Sequence, residues 1–237
     1  MDIHFLTPFP EMINSILNES ILSRSASKGI VKYNIYNLFD YADEPHNKID
    51  DYPFGGGVGM VMKPEPIFRA FNHINNSIDK KKSARIIFPT PDGKILNQKM
   101  AQELSTEKQL IFINGHYKGI DQRVRDNIVS DEISIGDYVL TGSEIASAVI
   151  LDSVVRLIPG VLNNIESAKT DSFSSLLLDG PHYTRPEVFE GMKTPQILLS
   201  GHHKKIYEWN KLQRENKTRE RRPDLWEKYI SRKEKME

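Results

Sequence analysis

The chain has 237 residues, of which 38% are hydrophobic, and its formal net charge is zero. This length allows one large domain or two modest ones, and the composition is typical of a globular protein with a real core. The absence of cysteine excludes disulfides and thiolate sites, whether metal-binding or nucleophilic. Because the sequence has neither a membrane-spanning apolar run nor a signal peptide at Met1–Phe9, we expect a cytoplasmic protein.

Hydrophobic periodicity predicts strands that alternate with helices over the first two thirds of the chain. The predicted strands are Ile3–Leu6, Val31–Leu38, Ala84–Phe88, Leu110–Ile113 and Ile133–Ile135. The predicted helices are Glu11–Lys28, Pro64–Ile78, Asn97–Leu104, Gln122–Val129 and Ile145–Ile158. This alternation predicts an α/β fold with a mainly parallel sheet that helices cover on both faces.

The pattern changes after Pro159-Gly160. Val161–Leu178 has no clean period, and the chain beyond Pro186 is helical in pattern, at Ile197–Leu199, His202–Gln213 and Asp224–Arg232. We therefore predict an α/β domain over residues 1–162, an interdomain linker over 163–185 and a small helical domain over 186–237.

From Gly201 onward the chain has twelve Lys and Arg against seven Asp and Glu. This asymmetry indicates a polyanionic partner, although a solvated helical tail of mixed charge would explain it as well.

Three glycine-bearing or polar loops follow predicted strands: Phe88–Gly93, Asn114–Val124 and Ile133–Glu144. Each alone is compatible with an ordinary connection between a strand and a helix. Together they predict a ligand pocket, because loops that leave the carboxyl ends of parallel strands lie side by side.

Two further stretches are rich in residues that can contact a ligand. Phe54–Met62 has four glycines in five residues, but it is neither a P-loop nor a dinucleotide-binding fingerprint. Leu178–Glu187 carries His182, Tyr183 and Arg185, which suit contacts to a phosphate or a base. The simpler interpretations are a flexible loop for the first stretch and an anchor within a linker for the second.

In this order and over the whole chain, these stretches resemble the TrmD family, the bacterial tRNA (guanine-37-N1)-methyltransferases of the knotted SPOUT class. The shared motifs are Gly-Gly-Gly-x-Gly-Met, Gly-x-Tyr-x-Gly-Ile-Asp, Ile-Ser-Ile-Gly-Asp-Tyr-Val-Leu, Arg-x-Ile-Pro-Gly-Val-Leu, Asp-Ser-Phe, Pro-His-Tyr-Thr-Arg-Pro-Glu and Leu-Leu-Ser-Gly-His. The resemblance implies a deep trefoil knot in the C-terminal part of the α/β domain, a rare exception to the usual connection rules. It also implies a homodimer in which both chains build each active site.

The resemblance further implies that the loops of the knot bind S-adenosyl-L-methionine in a bent shape, mainly through backbone groups. The implied cofactor-binding residues are Pro89, Thr90, Pro91, Gly115, Tyr117, Gly119, Ile135, Gly136, Asp137, Tyr138, Val139, Leu140, Gly142 and Ser143. No metal-ligand cluster is expected.

The implied reaction needs a base, because N1 of guanine carries a proton near neutral pH. Asp171 matches the family's general base, and Arg156 matches the arginine that stabilises the negative charge developing toward O6. From the residues alone, Asp171 would be read as a turn or N-cap residue and Arg156 as a surface residue at a helix C-terminus.

The resemblance also implies that tRNA is the partner, with a guanine at 37 preceded by a guanine at 36. The residues expected to contact RNA are Gly57, Gly59, His182, Arg185, Lys204, Lys205, Lys211, Arg214, Lys217, Arg219, Arg221 and Arg222. Contacts from the C-terminal cations would grip the backbone and should be sensitive to salt.

The chain departs from the family pattern at three positions. Lys118 replaces a common acid beside the predicted pocket, which leaves any need for Mg²⁺ open, since a lysine cannot ligate the ion. Ser143 stands where a second glycine is common, and we expect it to be tolerated. Asn114 stands where the family often has cysteine, and the sequence gives it no evident role.

Three alternatives remain at the level of sequence. A SPOUT methyltransferase acting on another RNA site would share the knot but lack Asp171 in this context and the helical tail. A non-catalytic RNA-binding protein would have lost the cofactor loops. A nucleotide-binding α/β protein is disfavoured by the failed P-loop and dinucleotide motifs.

Overall fold

The computed structural model describes residues 1–77, 84–162, 171–173 and 175–234. The chain divides into two compact units, Met1–Asn163 and Asn164–Glu237. In the described segments, no helix combines the length and the apolar composition needed to cross a bilayer.

The first unit alternates strands and helices along most of its length. Its strands are β1 (Asp2–Thr7), β2 (Lys32–Asn37), β3 (Asp50–Asp51), β4 (Val61–Met62), β5 (Ala84–Ile95), β6 (Gln109–Ile113) and β7 (Asp131–Ser134). Its helices are α1 (Pro10–Leu17), α2 (Ser20–Ser27), α3 (Pro64–Ser77), α4 (Gln98–Ser105), α5 (Gln122–Asn127) and α6 (Glu144–Val155), with a 3₁₀ turn at Leu38–Tyr41.

Five of these strands form one sheet in the order β2-β1-β6-β5-β7, and every neighbouring pair is parallel. In register, Phe5 of β1 lies opposite Ile35 of β2 and Phe112 of β6. Strands β3 and β4 form a separate antiparallel pair. The predicted α/β class with a mainly parallel sheet is therefore confirmed.

The sheet is buried on both faces because alternate residues of its central strands point to two separate cores. Ile3 and Phe5 of β1 face one core, which α1, α2, α4 and α6 complete. Leu6, from the same strand, faces the second core under α3 and α5. Continuous apolar strands such as β6, Gln109–Ile113, are typical of parallel sheets covered on both sides.

In the first unit, two predicted elements differ most from the structure. The helix expected at Glu11–Lys28 is broken into α1 and α2, with Glu19 extended and Ser20 at a φ of +50°. A straight helix of this length would extend about 27 Å, whereas the break lets both halves bury side chains in the same core. Strand β5 continues to Ile95 because, after a register shift between Pro89 and Lys94, it pairs with β7 a second time.

The described part of the second unit contains the hairpin strands β8 (Val188–Phe189) and β9 (Met192–Lys193) and the helices α7 (Gln196–Leu199), α8 (His203–Arg221) and α9 (Pro223–Glu234). Helix α8 extends eight residues beyond its predicted end at Gln213, because the polar segment that follows is also helical, up to Arg221. Residues 163–170 and 174 of the predicted linker lie outside the described residues.

Candidate functional site

Three loops of the first unit meet at one edge of the sheet and enclose a cleft. They are residues 88–91 within β5, residues 115–119 after β6 and residues 135–143 after β7. Because β6, β5 and β7 are parallel neighbours, their carboxyl ends lie together. The cleft has a volume of about 180 Å³.

The cleft brings together nearly the whole set of predicted cofactor residues, all of which lie in the described part of the chain. The lining contains Pro89, Thr90, Pro91, Gly115, Tyr117, Gly119, Ile135, Gly136, Tyr138, Val139, Leu140, Gly142 and Ser143. Asp137, which is exposed, is the one member of the predicted set outside this lining. His116 and Lys118 also line the cleft, although neither was predicted to bind the cofactor.

The lining combines apolar walls with backbone that a ligand can approach. Phe88, Ile133 and Leu140 supply apolar surface, while glycines and small polar residues leave little side-chain bulk in the way. This chemistry suits a ligand with a flat ring and polar edges.

Position 142 requires glycine because the ring of His116 lies against it. The two residues form an antiparallel bridge, and a Cβ at position 142 would lie 2.1 Å from Cε1 of His116. The ring has little freedom to move, since Phe9 packs edge-on against it at 4.7 Å between ring centroids. This close approach fastens the loop after β6 to the loop after β7.

A buried carboxylate lies beneath the same two loops. Glu144, the first residue of α6, is 1% exposed, and in the described part of the chain it is the only buried acidic residue. Its Oε1 accepts a 2.6 Å hydrogen bond from Oγ1 of Thr7, and its Oε2 lies 2.7 Å from Nε2 of His116. The carboxylate therefore joins the end of β1, the loop after β6 and the start of α6.

Sequence analysis missed the role of Glu144 and His116. A signal was present, since an acidic residue that opens an otherwise apolar helix is buried only when it has a partner. The partner is distant in sequence, and only the tertiary fold brings it within reach.

Asn114, for which the sequence suggested no role, and Ser143, which stands where a glycine is common, belong to a buried polar network. Asn114 is fully buried; its Nδ2 donates to the carbonyl of Leu6 at 3.0 Å, and its Oδ1 accepts from Oγ of Ser147 at 2.6 Å. Oγ of Ser143 accepts a 2.7 Å hydrogen bond from the backbone N–H of Gly115. These contacts satisfy polar groups that would otherwise be costly to bury, so both departures from the family pattern have a structural role.

Lys118 lies against the glycine-rich loop. A Cβ at Gly59 would lie 2.9 Å from Cγ of Lys118, so the lysine stem packs directly on the glycine backbone. The backbone N–H of Lys118 donates to the carbonyl of Met60 at 3.0 Å. The end of the glycine-rich loop is thus held at the cleft, while Phe54 and Val58 within it are almost fully exposed.

The first loop is braced from outside the cleft by Arg125 of α5. The guanidinium lies 5.5 Å from the ring centroid of Phe88 and pairs with Asp92 at 2.6 Å and Glu132 at 2.7 Å. The hydrogen bond from Thr90, followed by that from Arg125, holds the pKa of Asp92 below its usual range. Asp92 therefore stays ionised and keeps the loop in place at mildly acidic pH.

The two predicted catalytic residues lie in different units. Arg156 follows the last turn of α6 and is half-buried. Asp171 is the first described residue of the second unit and is also half-buried.

The residues predicted to contact RNA have unequal surroundings. Gly57, Gly59, His182, Arg185, Lys204, Lys205, Lys211, Arg219 and Arg221 are exposed. Arg214 instead donates to the carbonyl of Leu178 and to Oγ of Ser175, and Arg222 pairs with Asp224 at 2.7 Å. Lys217 donates to the carbonyl of Asp179 at 2.8 Å. These three cations support the protein's own fold before any partner binds.

The described residues include no group of three or more His, Asp or Glu placed to hold a metal ion.

Comparison with known proteins matches residues 1–228 to the model of the family described as tRNA (Guanine-1)-methyltransferase TrmD. The chain belongs to this family. It is 51% identical over 228 residues to a tRNA (guanine-N(1)-)-methyltransferase of Clostridioides difficile, an alignment covering 96% of this chain and 98% of the relative. Proteins of the same name from Anoxybacillus flavithermus and Shouchella clausii are 52% and 53% identical over 229 residues, which is 97% of this chain and 93% of each relative. The family resemblance expected from the motifs is confirmed.

Proposed function

We propose that this protein transfers the methyl group of S-adenosyl-L-methionine to N1 of guanine 37 in tRNA. The observation that carries the proposal is the family match over residues 1–228, together with one cleft lined by the loops in which the family's cofactor motifs lie. Both the apolar walls and the accessible backbone of that cleft suit an adenosine group.

The cofactor would be held by the three loops around the cleft. Phe88, Ile133 and Leu140 would pack against the adenine ring, and small residues such as Gly115 and Gly142 would let backbone groups reach the base and the ribose. When bound, the cofactor supplies a methyl group activated by a sulfonium centre.

Asp171 would act on the nucleobase as the general base. Removing the N1 proton frees a lone pair for attack on the methyl carbon, and the proton passes to the Asp171 carboxylate. Arg156 would stabilise the negative charge that moves toward O6. A guanidinium suits this role because it stays charged and offers several donors.

A homodimer is supported by an apolar surface of the first unit. Helix α6 buries residues such as Ile150 and Val154 in the core, yet Ile145 and Val149, one turn apart on another side, are 50% and 44% exposed. Helix α1 packs beside α6 and exposes Met12. A patch of exposed apolar side chains is typical of a protein–protein interaction surface, so we propose that a second copy of the chain covers this surface.

We also propose that the first unit carries the family's trefoil knot and that the second unit binds tRNA in the cytoplasm. The knot is supported by the path after β7: residues 136–143 leave the edge strand and return past Gly115, where Ser143 donates its backbone N–H to the Gly115 carbonyl at 3.0 Å. RNA binding is supported by the exposed cations of α8, among them Lys204 and Lys205.

The deciding experiment measures methyl transfer from labelled S-adenosyl-L-methionine to two tRNA transcripts that differ only at position 37, one with guanine and one with adenine. We expect methylation of the guanine transcript alone, with and without Mg²⁺ tested in parallel. Asp171→Asn should lower kcat at least a hundredfold and leave cofactor binding, followed by calorimetry, unchanged. Asp126→Asn, which changes an exposed acid on α5, is the matched control.

Two results would contradict the proposal. If neither transcript is methylated although the cofactor binds, the substrate is a different RNA. If the cofactor does not bind, the protein is not a methyltransferase of this kind.

The dimer is tested separately by Val149→Lys, with Leu212→Lys on α8 as the control because Leu212 is similarly exposed at 51%. Light scattering should report half the wild-type mass for Val149→Lys, with loss of methyl transfer, and an unchanged mass for Leu212→Lys. A wild-type protein that is already monomeric at micromolar concentration would refute the dimer.

A further inference from the structure

The second unit contains its own cleft, formed where residues 175–182 lie along helices α8 and α9. The cleft measures about 480 Å³. Its walls include Asp179, His182, Tyr207, Asn210, Lys211 and Arg214. All of these residues belong to the second unit, so the cleft is complete within it.

The wall formed by residues 175–182 is firmly attached to α8 despite having no regular secondary structure. The backbone N–H of Leu178 donates to Oγ1 of Thr218 at 2.8 Å, and Thr218 is fully buried. Arg214 donates to the carbonyl of Leu178 at 3.3 Å and to Oγ of Ser175 at 3.0 Å. Because these bonds attach the segment to the C-terminal half of a nineteen-residue helix, the cleft is a preformed feature of the unit.

The charged groups of the cleft suit a ligand that carries both a negative charge and hydrogen-bond donors. Lys211 and Arg214 outnumber the single carboxylate, Asp179. Oδ2 of Asp179 lies 2.8 Å from Nε2 of His182, and Oδ1 accepts from the backbone N–H of Gly180 at 2.7 Å. Burial raises the pKa of Asp179, but the bonds from His182 and Gly180 outweigh it and hold the pKa below its usual range. The carboxylate is therefore an acceptor at neutral pH.

The cleft also contains an exposed aromatic ring, that of Tyr207. Tyr207 is 71% exposed although it lines the cleft, which leaves its ring open to a planar partner. Asn210, on the same helix, adds an amide with both donor and acceptor atoms. An open aromatic ring, nearby cations and side chains that can bond a base edge are the combination by which proteins hold unstacked nucleotides of single-stranded RNA.

We propose that this cleft binds one unstacked nucleotide of the RNA substrate. The base stacks on Tyr207, its edge meets Asn210 or Asp179, and its phosphate meets Lys211. The inference rests on the proposed function for the identity of the RNA, and it gives the second unit a role beyond gripping the phosphate backbone. Contacts from scattered surface lysines would not distinguish single-stranded RNA from duplex RNA. This cleft would distinguish them, because only a single strand offers an unstacked base.

The test uses the full chain and two fluorescein-labelled probes, a single-stranded RNA of ten nucleotides and a ten-base-pair RNA duplex. Loss of stacking in Tyr207→Ala should weaken binding of the single strand about tenfold and change duplex binding less than twofold. Tyr207→Phe keeps the ring and should bind the single strand like the wild type. Since Tyr207 is largely exposed, the fold should survive both changes, which circular dichroism checks.

Methyl transfer to the guanine transcript supplies the second readout. Tyr207→Ala should raise the KM for tRNA about tenfold, and Lys211→Ala should reduce the salt dependence of tRNA binding by about one unit of slope. Lys228→Ala, an exposed cation on α9 outside the cleft, should leave that slope unchanged.

The outcomes separate this inference from the proposed function. If the wild type methylates tRNA and Tyr207→Ala binds both probes and tRNA like the wild type, the nucleotide site is refuted while the methyltransferase stands. If Tyr207→Phe binds as weakly as Tyr207→Ala, stacking is not the contact, and the inference fails. If the wild type does not methylate but Tyr207 discriminates between the two probes, the nucleotide site stands and the proposed reaction falls.

Discussion

Replacing Glu144 should show how strongly the fold depends on the carboxylate beneath the cleft. Glu144→Ala removes the acceptor of two hydrogen bonds, those involving Thr7 and His116. Thr7 is fully buried and the side chain of His116 is 13% exposed, so water cannot readily replace the lost acceptor. Each group left without its partner costs about 1–3 kcal/mol, and we expect a total of about 3–5 kcal/mol, as for other buried pairs that lose one member.

Glu144→Gln should be much milder. The amide oxygen can still accept from Thr7, and the amide nitrogen faces a ring nitrogen that accepts in the other histidine tautomer. We therefore expect a cost of about 1 kcal/mol. The difference between the alanine and glutamine variants separates the hydrogen bonds from the charge.

Thermal unfolding followed by circular dichroism measures the effect, and at this chain length 1 kcal/mol corresponds to a Tm shift of roughly 2–4 °C. Glu103→Ala, which removes an exposed helical glutamate paired with Lys99, is the control and should cost less than about 0.5 kcal/mol. Both tryptophans, Trp209 and Trp226, belong to the second unit, so their fluorescence reports on that unit as a second probe. The reasoning is refuted if Glu144→Ala is no less stable than Glu103→Ala, or if Glu144→Gln is as damaging as Glu144→Ala.

Three further predictions follow from the first unit. Gly142→Ala places a Cβ 2.1 Å from the ring of His116, so calorimetry should show cofactor affinity reduced at least tenfold. Gly93→Ala places a Cβ 2.5 Å from backbone atoms of β7, and because backbone cannot move aside as a side chain can, it should lower the free energy of unfolding by about 2–3 kcal/mol. Burial raises the pKa of Asp131, but hydrogen bonds led by that from Arg85 outweigh it and leave the pKa below its usual range. Asp131→Asn should therefore cost about 1 kcal/mol at pH 7, and the difference in stability from the wild type in urea unfolding should disappear as the pH falls through the lowered pKa of the wild-type carboxylate.

The controls for these predictions come from the same chain. Gly180→Ala places its Cβ no closer than 3.4 Å to another atom and should leave both cofactor affinity and stability unchanged. For comparison, Asp43→Asn removes a more exposed acid paired with Arg69, and it should cost less stability than Asp131→Asn at pH 7. A gap for Asp131→Asn that widens in acid would show that the sign of the pKa shift is wrong.

Much of the fold could be predicted because its signals are local. The apolar runs of β1 and β6 and the glycine-bearing turns after β6 and β7 are visible in the sequence, and parallel strands necessarily gather such turns at one edge. The residues predicted from contiguous motifs to bind the cofactor therefore all line the cleft, except Asp137. Asp137 lies within such a motif but is exposed outside the cleft, and no local pattern distinguishes it from its neighbours.

What the sequence alone determined is the class of protein, through periodicity and ordered motifs, and the positions of the loops that form the cleft. What only the tertiary structure decided is which distant residues meet. Thr7 and Glu144 are 137 residues apart, and Asn114 acquires its role through Leu6, 108 residues away. Contacts of this kind leave no period in the sequence, because they depend on where α6 lies relative to β1 and β6. The same holds for Tyr207, whose place in a cleft follows from residues 175–182 lying along α8.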